Sequence, residues 1–218
     1  MTILTYILSC LYFFLPAYFT NMTPPLVRRV DIFNFLDKPV DFGKKFLGQP
    51  IFGKNKCWRG VISGIIIGIL IAGFQLWLYH FSLIKEISLF NYSKINIFIF
   101  GFLISAGAVF GDLLFAFIKR RLEMEPGARF LPFDQTNYVI GAALFLTPFL
   151  KIDILVWITL FILTFLLHII VNRIGYHLRL SRARWWYYYV QWIENSFKCF
   201  KIETFEKDIF EENIFAQS

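Results

Sequence analysis

Long stretches without a charged residue constrain this chain more than any other feature. "VISGIIIGILIAGFQLWLYHF" (Val61–Phe81) and "INIFIFGFLISAGAVFG" (Ile95–Gly111) contain no Asp, Glu, Lys or Arg. A helix needs about 20 apolar residues to cross a bilayer, whereas a helix on a soluble protein keeps one polar face. Of the 218 residues, 57% are hydrophobic and only 17% are charged. The sequence therefore indicates an integral membrane protein.

Five apolar segments predict an all-α integral membrane protein with five transmembrane helices. They are Ile3–Phe19, Val61–Phe81, Ile95–Ile118, Tyr138–Leu150 and Ile154–Val171. The fourth is short and has Pro148 near its end, but only Lys151-Ile152-Asp153 separates it from the fifth. We therefore expect these two helices to form a hairpin. The first segment lacks a basic start and a small-residue cleavage site, so we expect a retained helix and not a signal peptide.

The distribution of Lys and Arg predicts the orientation in the membrane. Every Lys and Arg except Lys85, Lys94 and Lys151 lies in loop 20–60, in the loop after the third segment, or in the tail from Arg173 onward. We therefore predict a multi-pass protein of the cytoplasmic membrane, with its N-terminus outside, its C-terminus cytoplasmic and two basic cytoplasmic loops. The net charge of +7 is that of loops facing anionic headgroups, so nucleic acid is not an expected partner.

Asp112 directly follows the charge-free run Ile95–Gly111, at a depth where a carboxylate is costly. Lys119 comes two helical turns later on nearly the same side, and Arg120 and Arg121 follow it. Small residues line the second and third helices: Gly60, Gly64, Gly68, Ala72, Gly101, Ser105, Gly107, Ala108 and Gly111. They predict close helix packing, with Asp112 facing the bundle interior. A structural alternative is an ion pair between Asp112 and Lys119 that only anchors the helix end.

A second aspartate, Asp134, follows the basic cluster, and the cations outnumber the two acids. Carboxylates suit Mg²⁺, which proteins usually hold with one or two of them plus substrate phosphates. The excess of positive charge favours a bound polyphosphate. Loop 40–60 adds further cations among three glycines, namely Lys44, Lys45, Lys54, Lys56 and Arg59, but it lacks the Gly-Lys-Ser/Thr of a Walker loop.

Three motifs together resemble the CDP-archaeol synthases, a family of membrane CTP-dependent cytidylyltransferases related to phosphatidate cytidylyltransferases. They are "PVDFGKKFLGQPIFGKNKCWRGVISG", "GDLLFAFIKRRL" with "PGARFLPFDQTNYVIGA", and "HIIVNRIGY". The similarity extends over about residues 15–180 in the expected order. Cys57 stands where the family pattern Lys-Thr-Trp-Arg-Gly has Thr.

The resemblance implies a five-helix enzyme that uses Mg²⁺ and CTP to activate a membrane lipid phosphate and releases pyrophosphate. With the residue patterns above, it yields a set of expected site residues. Asp112 and Asp134 are expected to hold the metal and, with Lys119 and Arg120, to act in catalysis. Residues expected to bind substrate or nucleotide are Lys44, Lys45, Lys54, Lys56, Arg59, Arg121, Gln135, His168 and Asn172.

Two other classes of function remain open at this point. A small transporter or anion channel could use the same basic cytoplasmic vestibule, although the sequence shows no inverted repeat. A non-catalytic lipid-binding protein explains the basic loops but not the paired acids. We expect residues 1–180 to form the membrane domain, and residues 181–218 to form an aromatic and then acidic cytoplasmic tail.

Overall fold

The structure is a computed structural model that describes residues 2–30, 33–124 and 130–177. Its helices and strands are α1 (Ile3–Val30), β1 (Lys45–Phe46), β2 (Gln49–Pro50), α2 (Trp58–Leu78), α3 (Ser82–Glu86), α4 (Ile97–Arg121), α5 (Phe133–Leu146) and α6 (Ile154–His177). The predicted helical class is confirmed. One compact unit covers Met1–Phe165 and a second begins at Leu166. The predicted tail, residues 181–218, lies outside the described residues.

Four helices of the described chain are long and apolar enough to cross a membrane: Ile3–Arg28, Trp58–Leu78, Ile97–Arg121 and Ile154–Val171. This makes the chain a multi-pass membrane protein. The predicted fourth span, Tyr138–Leu150, is α5, which begins earlier and has 14 residues. At 1.5 Å per residue it is about 21 Å long, short of the roughly 30 Å hydrocarbon core. Its start was misplaced because its first turn is polar.

Helix α1 extends well beyond its predicted end at Phe19, through Pro24 and Pro25 to Val30. A proline lacks the N–H that would bond the carbonyl four residues earlier, so such a pair ordinarily ends a helix. Here the turn before the two prolines lies against α2. The Thr20 hydroxyl donates to the Pro16 carbonyl at 2.8 Å and lies 3.1 Å from the Gly64 carbonyl. Packing against α2 therefore stabilises the extension.

The predicted small-residue face of α2 is confirmed as a packing surface. A Cβ on Gly60 would lie 3.0 Å from Pro24, and one on Gly64 would lie 3.1 Å from the Thr20 carbonyl, both on α1. At the other end of this face, a Cβ on Gly101 of α4 would lie 2.8 Å from Ala72. These contacts leave no room for larger side chains, so α2 is packed closely against both α1 and α4.

Helices α4 and α5 approach so closely that their backbones touch. A Cβ on Gly107 would lie 2.7 Å from the Gly141 carbonyl, and one on Gly111 would overlap the Asn137 carbonyl. This contact brings the first turn of α5 alongside Asp112. The short helix is thus held in the position from which its polar residues reach the end of α4.

Helix α6 is attached to the bundle through α1. Trp157 packs edge-on against Phe13 and Phe14, and the hydroxyls of Tyr18 and Thr164 are 2.9 Å apart. An apolar groove of about 700 Å³, lined by residues such as Ala143 and Ile158, separates α6 from α5. The predicted hairpin of these two helices stays a prediction. The connection 147–153 joins them, but their facing side chains do not fill the space between them.

The contact between α4 and α5 predicts a large difference between two glycine variants. Gly111→Ala should lower the free energy of unfolding by about 1–3 kcal/mol, because the new methyl group overlaps the backbone of α5. Gly73→Ala is the matched control, since a Cβ there meets nothing within 4 Å, and alanine favours a helix by up to about 1 kcal/mol. Thermal unfolding in detergent measures both. Equal stability of the two variants would contradict the packing described.

Candidate active site

The first loop is a folded scaffold whose two ends are joined by backbone hydrogen bonds. The Val40 N–H donates to the Lys56 carbonyl at 2.8 Å, and the Trp58 N–H donates to the Lys38 carbonyl at 2.9 Å. Between these ends, β1 and β2 form an antiparallel hairpin. Its turn places Leu47 and Gly48 at positive φ, a conformation that glycine adopts readily. The loop therefore holds its lysines on an ordered backbone.

Asp41 fixes the base of this hairpin. Its carboxylate accepts hydrogen bonds from the backbone N–H groups of Gly43, Phe52 and Gly53 at 2.9–3.1 Å. Burial acts to raise the pKa of Asp41, but these three donors favour the charged form more strongly and hold the pKa below its ordinary value. The carboxylate is therefore committed to the loop and is not available as a ligand.

Arg121 holds the tip of the hairpin against α4. Its guanidinium donates to the carbonyl oxygens of Phe46, Gln49 (3.2 Å) and Pro50 (2.7 Å). It also lies over the Phe46 and Phe117 rings, 5.4 and 4.9 Å from their centroids. A planar fork of donors suits this arrangement, whereas an ammonium group cannot reproduce it. Arg121 thus acts on the position of the loop.

Asp112 joins the loop to the helices. Its Oδ2 atom lies 2.5 Å from the Lys56 ammonium, and its Oδ1 atom accepts a bond of 3.4 Å from the Asn137 side chain of α5. The predicted position facing the bundle is confirmed. The alternative pairing with Lys119 is wrong, because the fold brings Lys56 of the first loop to this carboxylate.

Lys119 contacts the other aspartate. Its ammonium donates to both carboxylate oxygens of Asp134, at 3.0 and 2.9 Å. Asp134 lies in the first turn of α5 and also accepts from the Phe130 N–H at 2.9 Å. The partial positive charge of a helix N-terminus stabilises a carboxylate at this position. Each aspartate is therefore paired with one lysine.

A basic cavity of about 600 Å³ opens between the first loop and the ends of α4 and α5. Five cationic and three anionic side chains line it: Lys45, Lys54, Lys56, Lys119, Arg120, Asp41, Asp112 and Asp134. Positive charge is therefore in excess in the lining. The volume and the charge both fit a phosphorylated ligand of nucleotide size.

A second, small cavity of about 90 Å³ shares Lys56 and Asp112 with the basic cavity. Arg28 and Arg59 also line it. Arg59 is 5% exposed, pairs with Asp37 at 3.3 Å and donates to Asn34 at 2.5 Å. Residues of helices α1, α2 and α4 also line the small cavity.

The structure thus brings seven of the expected site residues to the basic cavity: Lys45, Lys54, Lys56, Asp112, Lys119, Arg120 and Asp134. It does not bring Lys44, Arg59, Arg121 or Gln135 to that lining, and Gln135 is 1% exposed in the core. His168 and Asn172 belong to the second unit, and the Asn172 side chain lies outside the described residues. The roles expected of these two remain predictions.

Asn137 is a site residue that the sequence reasoning missed. It lines the basic cavity, is 4% exposed, and its Oδ1 atom is buried without a hydrogen-bond partner in the described chain. A signal was present in the sequence, because Asp134, Asn137 and Gly141 fall on one face of a helix. Unpaired buried amide oxygens are rare and call for an explanation.

Within the described ranges, no group of three or more His, Cys, Asp and Glu side chains is placed to hold a metal ion. The side-chain oxygen donors that line the basic cavity are the lysine-paired carboxylates of Asp112 and Asp134, the Asn137 amide, and Asp41, whose oxygens accept backbone N–H bonds. This donor set fits a hard cation that takes further ligands from a bound phosphate, and it does not fit zinc.

Cys57 precedes α2, and its Sγ atom makes a weak contact with the Lys54 carbonyl at 3.5 Å. Burial, and then the neighbouring Asp37, raise the pKa of the thiol above its ordinary value. A thiol in this state is a poor nucleophile at neutral pH. Nothing in this geometry requires a hydroxyl at position 57.

Comparison with known proteins gives one consistent result. The family model described as CarS-like, CDP-archaeol synthase, matches residues 3–186. The CDP-archaeol synthase of Methanococcus aeolicus is 32% identical over 85% of this chain and 100% of the relative. That of Archaeoglobus fulgidus is 36% identical over 82% of this chain and 98% of the relative.

The fold has a counterpart among solved structures. An intramembrane enzyme for archaeal membrane lipids biosynthesis matches with a TM-score of 0.60 and 24% sequence identity. The match covers 76% of this chain and 94% of the solved chain. This likeness establishes a shared fold.

The contacts of Arg121 predict that it orders the hairpin. Arg121→Ala should make trypsin cleave after Lys44 and Lys45 at least about tenfold faster, because three charge-assisted bonds and the ring contacts are lost. Arg121→Lys, which keeps the charge but not the fork, should fall between the variant and the parent protein. Cleavage of Arg121→Ala at the parent rate would show that the hairpin does not depend on this side chain.

The lowered pKa of Asp41 predicts a pH dependence for the loop. A carboxylate with a depressed folded pKa stabilises the fold above its unfolded value of about 3.9, and this contribution is lost as the pH falls through the folded pKa. Hydrogen exchange at the Gly43, Phe52 and Gly53 amides should therefore accelerate in that range. Asp41→Asn, which cannot ionise, is the control and should show no such transition. The same profile in both proteins would contradict the assignment.

Proposed function

We propose, because this chain belongs to the CarS-like CDP-archaeol synthase family, that it is a CTP-dependent cytidylyltransferase of membrane lipid biosynthesis. It would convert a membrane lipid phosphate into the corresponding CDP-lipid and release pyrophosphate. The observation that carries the proposal is the basic cavity, in which five cations and two lysine-paired aspartates surround a space of nucleotide size at the ends of membrane helices.

The cations of the cavity would hold the triphosphate. Both reactants carry several negative charges and repel each other, so the site has to neutralise charge and align them. Lys45 and Lys54 come from the loop, whereas Lys119 and Arg120 come from the end of α4. The cavity therefore presents positive charge from two sides, as a long polyphosphate requires.

The donor set fits Mg²⁺. Asp112, Asp134 and the unpaired Oδ1 atom of Asn137 are hard oxygen donors at one cavity, and Mg²⁺ is commonly held by one or two carboxylates together with phosphates. When bound, the ion would neutralise charge on the triphosphate. If a lysine leaves its aspartate when the ion binds, its ammonium can donate hydrogen bonds to phosphate oxygens. Lys56 and Lys119 would then bind the phosphates of the substrates.

The reaction requires no general base from the protein. An oxygen of the lipid phosphate attacks the α-phosphorus of CTP and forms a new P–O bond. The bond from that phosphorus to the oxygen bridging to the β-phosphate breaks, and its electron pair leaves with pyrophosphate. The attacking group is already ionised near pH 7, and catalysis consists of positioning and charge stabilisation. A cavity of lysines and arginine without a catalytic histidine matches this requirement.

We infer that the basic cavity faces the cytoplasm, where CTP is available. The support is the distribution of Lys and Arg, which favours an outside N-terminus, a cytoplasmic C-terminus and placement in the cytoplasmic membrane. α5 would be a fifth, short membrane helix entering from the same face. A transporter or channel is disfavoured, because the charged cavity lies at the helix ends, and the apolar groove has no charged side chain in its lining.

The paired aspartates supply the decisive test. Asp112→Asn and Asp134→Asn should each lower CDP-lipid formation by at least about 100-fold, because they keep the shape but remove the charge that holds the cation. Mn²⁺ binding in the presence of CTP, followed by electron paramagnetic resonance, should weaken in parallel, while thermal stability changes little.

Asp153→Asn is the matched control, because this aspartate accepts from the Leu155 N–H at the start of α6, away from the cavity. It should retain activity and Mn²⁺ binding. If the Asp112 and Asp134 variants were instead less stable but fully active, the two ion pairs would be structural and the proposed metal site would be wrong.

A further inference from the structure

The small cavity differs from the basic cavity in size, and size decides what each can hold. A single water needs about 10–15 Å³ of such space, and sites for nucleotide-sized ligands have about 300–1,000 Å³. At about 90 Å³ the small cavity excludes a nucleotide but has room for a phosphate group. Of the two cavities that Lys56 lines in the described chain, the basic cavity, of about 600 Å³, is the one that can hold CTP.

The lining of the small cavity is partly charged and partly aliphatic. The charged side chains are Arg28, Lys56, Arg59, Asp37 and Asp112. Because Lys56 pairs with Asp112 and Arg59 with Asp37, Arg28 supplies the excess positive charge. Pro24, Val61, Val109 and Leu113 supply the apolar wall, and they belong to α1, α2 and α4, three of the helices able to span the membrane. A soluble anion needs no such wall. A lipid phosphate needs both the positive charge and the apolar wall, because its head is charged while its chains run along membrane helices.

The two arginines of the small cavity, Arg59 and Arg28, differ in how strongly other protein groups bind them. Arg59 is buried and pairs with Asp37. Arg28 lies at the end of α1, is exposed, and donates a long bond, 3.3 Å, from Nη2 to the Asn55 carbonyl. It also interacts with the Cys57 thiol. Its guanidinium can exchange these contacts for the two oxygens of a phosphate, a stronger charge-assisted and bidentate interaction.

We propose that the small cavity is the subsite for the phosphate of the lipid substrate, with Arg28 as its principal ligand. Lys56 lines both cavities, so its ammonium would face the lipid phosphate on one side and the triphosphate on the other. The arrangement assigns the two substrates to two sides of the Lys56–Asp112 pair. This inference rests on the proposed function and adds the place and the recognition of the acceptor.

The test separates the Michaelis constants of the two substrates. With a diether glycerol phosphate carrying isoprenoid chains as probe, in nanodiscs, Arg28→Gln should raise the KM for the lipid about 10- to 100-fold and change the KM for CTP less than twofold. Lys45→Gln, on the basic cavity, is the matched control and should do the opposite. Arg28→Lys should recover part of the affinity for the lipid.

A binding measurement without CTP makes the outcome independent of turnover. Native mass spectrometry should show that the parent protein prefers the diether glycerol phosphate to the same diether without phosphate, and that Arg28→Gln loses this preference. Inorganic phosphate and glycerol phosphate should not displace the lipid. Displacement by either would identify a site for soluble anions and overturn the proposal.

The same measurements separate an error in the site of the lipid phosphate from an error in the proposed reaction. If the parent protein forms no CDP-lipid from the probe or from other lipid phosphates, the proposed function fails, and the binding preference alone decides on the subsite. If the parent protein is active but Arg28→Gln raises the KM for CTP, raises both constants equally or raises neither, the subsite assignment is overturned and the function stands.

Discussion

The ion pair between Lys56 and Asp112 is the interaction on which the rest of the site depends. The 2.5 Å contact connects the last lysine of the first loop to a carboxylate in the membrane helix α4. Both side chains are partly exposed, so the pair contributes more to the position of the loop against the helix than to stability. Both residues line the basic cavity and the small cavity, so the same pair belongs to both spaces.

Glycines determine how close the other acid and its neighbours come to this pair. Gly107 and Gly111 of α4 touch Gly141 and the backbone of Asn137 in α5. This contact holds a helix too short to span the membrane with its polar first turn beside Asp112. Tight packing of small residues, which would otherwise be only structural, thus assembles Asp112, Asn137 and Asp134 around one cavity.

Much of this architecture could be predicted from the sequence, because the relevant signals are local. Charge-free runs predicted the long helices, and the regular spacing of Gly60, Gly64, Gly68 and Ala72 predicted a packing face. The small residues that precede Asp112 predicted that it faces the bundle interior. The family motifs added the chemistry that charge patterns alone left open between an enzyme, a transporter and a lipid-binding protein.

The remaining features depend on the folded chain. Pro24 and Pro25 resemble a helix end, and only packing against α2 explains why α1 continues to Val30. Lys56 and Asp112 are distant in sequence, so their pairing requires the fold of the first loop. Arg121 carried the charge expected of a phosphate ligand, but three carbonyl oxygens of the hairpin take up its donors. Such choices between partners cannot be read from spacing.

The fate of labelled phosphorus tests directly whether the chain transfers a cytidylyl group from CTP to a lipid phosphate. Purified protein is incubated with Mg²⁺, a lipid phosphate and CTP labelled at either the α- or the γ-phosphate. The account predicts that the α-label enters the lipid fraction and that the γ-label leaves as pyrophosphate in equal amount. Label from the γ-phosphate in the lipid, or release of inorganic phosphate without labelled lipid, would contradict it.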